Sequence, residues 1–272
     1  MYSYTKVSPP ASPQPSQTIT LSAPSQNGTD SRKQQTRHTA AAKRQKYIRR
    51  IFRFHQMDFE YAFWQMLYLI IAPQKVYRNF AYRKQTKDQW ARDDPAFLVL
   101  LSFWLCVSSI GFAVVLKIHF LAFIKFLFWV IIVDCIGVGI LIATTLWFLT
   151  NRYMVVQPPR GQDVEWGYCF DVHLNAFFPL LMVLHFFQLP LMNAFIYGAG
   201  FFGRFVGNTF WLVAIGYYIY ITFLGYSSLP FLKKTQAFLY PLTILFLIYL
   251  LSIIVGWNFS MWLCDFYKYR VW

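Results

Sequence analysis

The chain has 272 residues, of which 57% are hydrophobic, 21% aromatic and only 13% charged, a balance that excludes an ordinary water-soluble domain. Its formal net charge is +14, yet sixteen of the 25 basic and six of the 11 acidic residues fall in residues 1–95, which leaves that flank at +10. A uniformly basic protein points to nucleic acid. A basic flank on an apolar block points to a cytosolic segment facing anionic headgroups.

Residues 1–36 are rich in Ser, Pro, Thr and Gln. They bury too little apolar surface to offset the entropy of ordering, so a disordered tail is expected. No cleavable signal peptide is expected in so polar a start, and the first spanning helix then directs insertion. Residues 37–95 read as a basic cytosolic and interfacial region. Within it, residues 40–55 read as an amphipathic helix, with Ile48, Ile51, Phe52 and His55 on one stripe. Lys43, Arg44, Lys46, Arg49, Arg50 and Arg53 surround that stripe. Three readings fit: a helix lying on an anionic membrane, a solvated basic helix, and RNA binding, which lacks a recognition motif.

Residues 57–72 are apolar but carry Asp58, Glu60 and Gln65 and stop at Pro73. The run is short of the about 20 residues that cross a hydrocarbon core, so a re-entrant or interfacial helix is expected. Residues 74–92 read as a polar, basic and aromatic linker. In the segment 83–97, RKQTKDQWARDDPAF, Asp93 or Asp94 suits a helix cap, Pro95 the first helical turn, and Trp90 a membrane interface.

Five spanning helices are expected at about 97–117, 124–149, 174–196, 205–225 and 238–256, each near or above the required length. The predicted fold is thus an all-α integral membrane protein, a five-helix bundle over 96–256 followed by a short aromatic tail at 257–272. The basic flank places the N-terminus in the cytosol, and an odd number of spans places the C-terminus in the lumen. Asn27-Gly28-Thr29 is then on the wrong side for glycosylation, and Asn258-Phe259-Ser260 lies too close to the bilayer.

Few residues offer chemistry. Asp134 falls inside the second span, where a charge costs about 3 kcal/mol, so it should face the bundle interior. His185 falls near the middle of the third span at similar depth. A proton relay or ion site is conceivable, but one Asp and one His make a poor transport pathway, and ordinary interhelical hydrogen bonds are the favoured reading. His173 stands near Asp163, Glu165, Asp171 and Asn175, but Asp171 two positions away faces elsewhere on a helix. A capped, hydrated helix entry explains this group without a metal, and neither a metal nor any other cofactor is expected. No nucleophile elbow, phosphate loop or catalytic acid pair stands out, so no enzyme activity is expected. Cys106 and Cys135 lie in apolar runs, Cys169 in a connecting loop and Cys264 in the tail, and all four read as free thiols. Gly203 with Gly207, and Gly139 with Ala143, read as close-packing pairs, and Gly225 as a helix exit before Tyr226-Ser227-Ser228-Leu229-Pro230.

Several strings together resemble one family. They are RRIFRFHQMDFEYAFWQMLYL (49–69), PQKVYRNFAYRKQTKDQWARDDPAFLVLLSFWLCVS (73–108), DVEWGYCFDVHLNAFFPLL (163–181), GNTFWLVAIGYYIYITFLGYSSLPFLK (207–233) and GWNFSMWLCDFYKYRV (256–271). They are similar to the uncoordinated-fifty family of Golgi membrane proteins across 37–272. LGYSSLPFL (224–232) also resembles a turn of the Yip family of trafficking proteins. The resemblance implies a five-span protein of the Golgi with a cytosolic N-terminus and no catalytic residues. It further implies cell-surface delivery of nicotinic acetylcholine receptors and binding of ARF-family guanine-nucleotide exchange factors. An inner nuclear membrane location and RNA binding accompany some members. The candidate contacts with headgroups or an acidic partner are Arg49, Arg50, Arg53, Arg83, Lys84, Lys87 and Arg92. The alternatives are an assembly chaperone for receptor subunits and a small transporter using Asp134 and His185.

Overall fold

A chain in hydrocarbon must satisfy every N–H and C=O within its own segment, and these apolar runs do so as helices. The structure is a computed structural model describing residues 45, 47, 49–51, 53–87, 90–92, 94–156, 163–192, 196 and 200–271, without the side chains of 81, 83–87 and 271. The tail 1–36, the Asn27 sequon, Lys43, Arg44, Lys46, Ile48 and Phe52 lie outside the described residues, and Lys46–Trp272 form one compact unit. From Phe59 onward, the described residues form α1 (Phe59–Ile71), α2 (Pro73–Lys87), α3 (Ala96–Leu116), α4 (Phe120–Met154), α5 (Trp166–Leu191), α6 (Gly200–Ser227), α7 (Thr235–Val255) and α8 (Phe259–Val271).

Helices α3 to α7 are the five expected spans, each long and apolar enough to cross a membrane, at 21 to 35 residues. Helices α5 and α6 form the centre of the bundle. They approach closely because Gly225 carries no side chain: a Cβ there would stand 2.8 Å from a Val172 methyl carbon. Gly225 is therefore a contact inside α6 and not its exit, which comes after Ser227. Gly139 does the same for α4 against α5, where a Cβ would stand 2.5 Å from the His173 ring. Residues Trp129–Gly137 of α4 and Met182–Phe187 of α5 are π-helical, and they contain Asp134 and His185 respectively.

The polar segment 74–87 is not a linker but most of α2. Pro73 starts it, as a residue without an N–H suits a first helical turn, and Val76, Tyr77 and Phe80 bury one stripe. Helices α1 and α2 thus form a hairpin with Pro73 at its tip, descending beside α6. Tyr217 of α6 donates to the carbonyls of Leu69 and Ile70 at 3.0 Å, Gln74 donates to Tyr220 at 2.5 Å, and Tyr77 packs at Gly225. Tyr217 lies ten residues before the end of α6, so the tip reaches ~15 Å along it. Phe63, Leu67, Ile70 and Ile71 on α1 remain exposed and apolar, while Lys75 and Arg78 on α2 are exposed on long, flexible stems.

At the opposite end the expected tail is helix α8, packed on α4 and α6. Asn258 caps it, its Oδ1 accepting from Ser260 and Met261 N–H at 3.1 and 3.2 Å. Cys264 is buried within α8, and Cys169 lies inside α5 instead of a loop; none of the four cysteines is joined in a disulfide among the described residues.

Candidate functional site

At the hairpin end, Trp90, Ala91, Arg92, Asp94 and Pro95 form a strap leading into α3, and carboxylates at the start of α5 and in the strap itself hold it. Glu165 accepts from the N–H groups of Trp90 and Ala91 at 3.4 and 3.3 Å. Asp171 accepts from the Arg92 N–H at 2.6 Å. Asp94 accepts from Ala96 N–H at 3.0 Å, opening α3, and from Asp58 N–H at 2.8 Å, where Asp58 in turn caps α1 by accepting from Tyr61. The strap fixes hairpin and bundle together. Asp94 performs the capping expected of the Asp93–Asp94 pair, with Pro95 just ahead of the helix; Asp93 lies outside the described residues.

Two residues of the strap turn inward, against expectation. Trp90 is 6% exposed and packs edge-on against Tyr168 and Phe231, so it belongs to the core and not to an interface. Arg92 is 7% exposed. Its guanidinium stands 4.0 Å from the Phe97 ring centroid and 4.0 Å from Asp171 Oδ1, and it donates to Asn175 Oδ1. A headgroup has no access there, so Arg92 leaves the set of candidate contacts. Its charge is matched inside the fold, where a fork of donors between a carboxylate, an amide and aromatic faces suits arginine. Asn175 also donates to Tyr77 at 3.4 Å. Burial pushes the Tyr77 phenol well above its usual range, and Asn175 and the Arg92 cation offset only part of that.

Of the other candidate cations, Arg49 and Arg53 are exposed and Arg50 half-buried; the side chains of Arg83, Lys84 and Lys87 lie outside the described residues. The structure adds more cations to this end. Val155 and Leu232 form an antiparallel bridge, reinforced by Lys233 N–H to Met154 O at 2.9 Å and Val156 N–H to Phe231 O at 3.1 Å. This pairing brings exposed Arg152 beside exposed Lys233 and Lys234. Arg152 lies in the last turn of α4 and the two lysines follow α6, 81 and 82 residues later in the chain, which is why reading the chain in order did not join them.

The intramembrane candidates separate. Asp134 accepts from the Tyr267 hydroxyl and lies 3.7 Å from Arg270, both on α8, and Arg270 stacks 3.7 Å from the Trp129 ring centroid. His185 shares a hydrogen bond of 3.0 Å with Ser108 of α3 and packs against Phe112. The two do not meet, and each has the interhelical partner of the plainer reading. His173 bonds Tyr218 at 2.8 Å and the Cys135 carbonyl at 3.2 Å, which spends both ring nitrogens. Among the described residues, no three His, Cys, Asp or Glu side chains gather as metal ligands.

A profile of the UNC-50 family matches residues 47–268, a range holding the hairpin, the strap, all five spans and most of α8. The chain belongs to the UNC-50 family. It is 65% identical over 245 residues to Protein unc-50 homolog A of Xenopus laevis, covering 90% of this chain and 95% of that one. Protein unc-50 homolog of Homo sapiens is 64% identical over 245 residues, with the same coverage, and that of Drosophila melanogaster is 59% identical over 233 residues, 86% of this chain and 84% of its own. No solved structure matches. Arg270 lies just beyond the matched range, which includes positions 134 and 267.

Proposed function

We propose that this UNC-50 protein acts without catalysis in vesicle-mediated transport in the Golgi, its hairpin end in the cytosol. That end docks an ARF-family guanine-nucleotide exchange factor, and the bundle supports delivery of nicotinic acetylcholine receptors to the cell surface. The observation that carries the reading is the charge gathered at one end. Arg49, Arg53, Arg152, Lys233 and Lys234 are all exposed there, beside an apolar hairpin face suited to one leaflet. Asp171, Asn175, Tyr77 and Tyr168 spend hydrogen bonds on Arg92, on one another and on the Gly225 carbonyl, which is the chemistry of a scaffold.

A second reading, an assembly chaperone for receptor subunits, draws on α7. That helix packs on α6 and exposes Ile244, Leu247, Leu251 and Ile254 along its outer side. One experiment separates the two. Full-length protein in nanodiscs with anionic lipid serves as bait for cytosol, beside a variant carrying Arg49→Glu, Arg50→Glu and Arg53→Glu. Recovery of an ARF exchange factor by the wild type and its loss in the variant support docking at this end. Equal recovery by both removes these arginines from the site. No recovery, with receptor subunits still co-purifying, favours the chaperone.

A further inference from the structure

Between α6, α7 and α8, at the end of the bundle away from the hairpin, lies a cleft of about 270 Å³. Trp211 and Ile215 of α6, Leu245 and Ile248 of α7, and Phe259 and Trp262 of α8 supply its walls. Its two polar liners are committed elsewhere. Asn208 donates to Ser252 Oγ at 2.9 Å and to the Trp257 carbonyl at 2.7 Å, and accepts from Phe259 N–H at 3.1 Å. The Tyr249 hydroxyl pairs with Thr209 at 3.1 Å. A water molecule needs two or more polar partners, and this cleft offers none. Its volume lies near the lower limit of a small-ligand pocket and is too small for a helix of a partner protein. Its surroundings are membrane spans, so the apolar matter at its mouth is acyl chain.

A cation stands beside it. Arg204 precedes Asn208 by one turn of α6, on the stripe that continues through Trp211, Leu212 and Ile215. Its guanidinium rests on Gly256, the left-handed residue ending α7: a Cβ there would stand 3.3 Å from Nη1. Among the described residues Arg204 has no carboxylate or hydrogen-bond partner, and its Nε is buried. Of the carboxylates on this side of the bundle, Asp134 is engaged with Arg270 and Asp265 with Lys268 at 3.9 Å. An unmatched guanidinium one turn from a dry acyl-sized cleft, where a span ends, has the charge and spacing of a phospholipid site.

We infer that this cleft holds one acyl chain of an anionic phospholipid whose headgroup seats on Arg204, so the α6–α8 corner is a lipid-binding site in the leaflet opposite the hairpin. The test is native mass spectrometry of the full-length protein in detergent, titrated separately with phosphatidylserine, phosphatidylcholine and cholesterol. The wild type retains one phosphatidylserine about tenfold more tightly than phosphatidylcholine. Arg204→Gln removes that preference while phosphatidylcholine is held as before. Ile248→Trp, which fills the cleft from a lipid-facing position, abolishes retention of both. Leu245→Trp fills it from the same helix and serves as a second variant should the first not fold. Equal retention of the two phospholipids by the wild type, displacement of phosphatidylserine by cholesterol, or retention surviving a filled cleft would each overturn the assignment.

Discussion

Arg92 carries its charge into a place where most arginines would be costly, and what repays the desolvation is geometry. A buried cation between a carboxylate, an amide oxygen and two ring faces has its charge balanced by them, whereas removing it strands Asp171, itself 5% exposed. Breaking such a pair from one side costs about 3–5 kcal/mol, more than the pair contributes when intact, because an uncompensated charge stays behind. Arg92→Ala should therefore lower stability by about 3–5 kcal/mol, read as a large drop in the midpoint of thermal unfolding in detergent. Adding Asp171→Asn should recover part of that loss. Arg49→Ala, on the exposed side of the same region, should leave the midpoint unchanged within ~0.5 kcal/mol. Asn258 shows the same economy at smaller scale. Its side chain is spent as a cap and it is almost buried, so its sequon has a structural reason to stay unmodified in the folded protein, beyond its closeness to the bilayer.

Among the elements, the five spans were legible because bilayer thickness imposes a length and hydrocarbon imposes a composition; both are visible in a linear string. Helix α2 was not. Its composition is polar, and only the sparse stripe Val76, Tyr77 and Phe80 marks the side it buries. Trp90 and Arg92 were misplaced for a related cause: what draws them inward is Tyr168, Phe231, Asp171 and Asn175, all more than 70 residues away. Helix α8 is the other element that reading in order left as a tail. Its docking rests on Tyr267 and Arg270 at Asp134 and on Ser260 with Gln188 and Trp211. Replacing Asp134 by Ala should release its far end. Cys264, now 2% exposed, then becomes reactive towards a maleimide added to the folded protein, at a rate at least several-fold above wild type. If labelling stays at the wild-type rate, the Asp134 cluster does not hold α8.

For the whole molecule, five crossings place the hairpin and α8 on opposite sides of the membrane, and the exposed cations are concentrated on the hairpin side. In Golgi vesicles of native orientation, a cysteine at Lys234 should react with an impermeant maleimide added outside. One at Tyr269 should react only after the membrane is opened, both in a background without the native cysteines. The reverse pattern would invert the proposed orientation and move the docking surface into the lumen.

The strap at 90–95 has a mechanical meaning as well. A flexible linker lets whatever is tied to its end wander, and any pull on it is lost as slack. Here the connection is pinned at Glu165, Asp171 and Asp94, so a load on the hairpin passes directly to α5 at the axis of the bundle. On the proposed reading, a protein docked beside Arg53 would thereby be held at a set distance and bearing from anything gripped by the spans, as on a bracket.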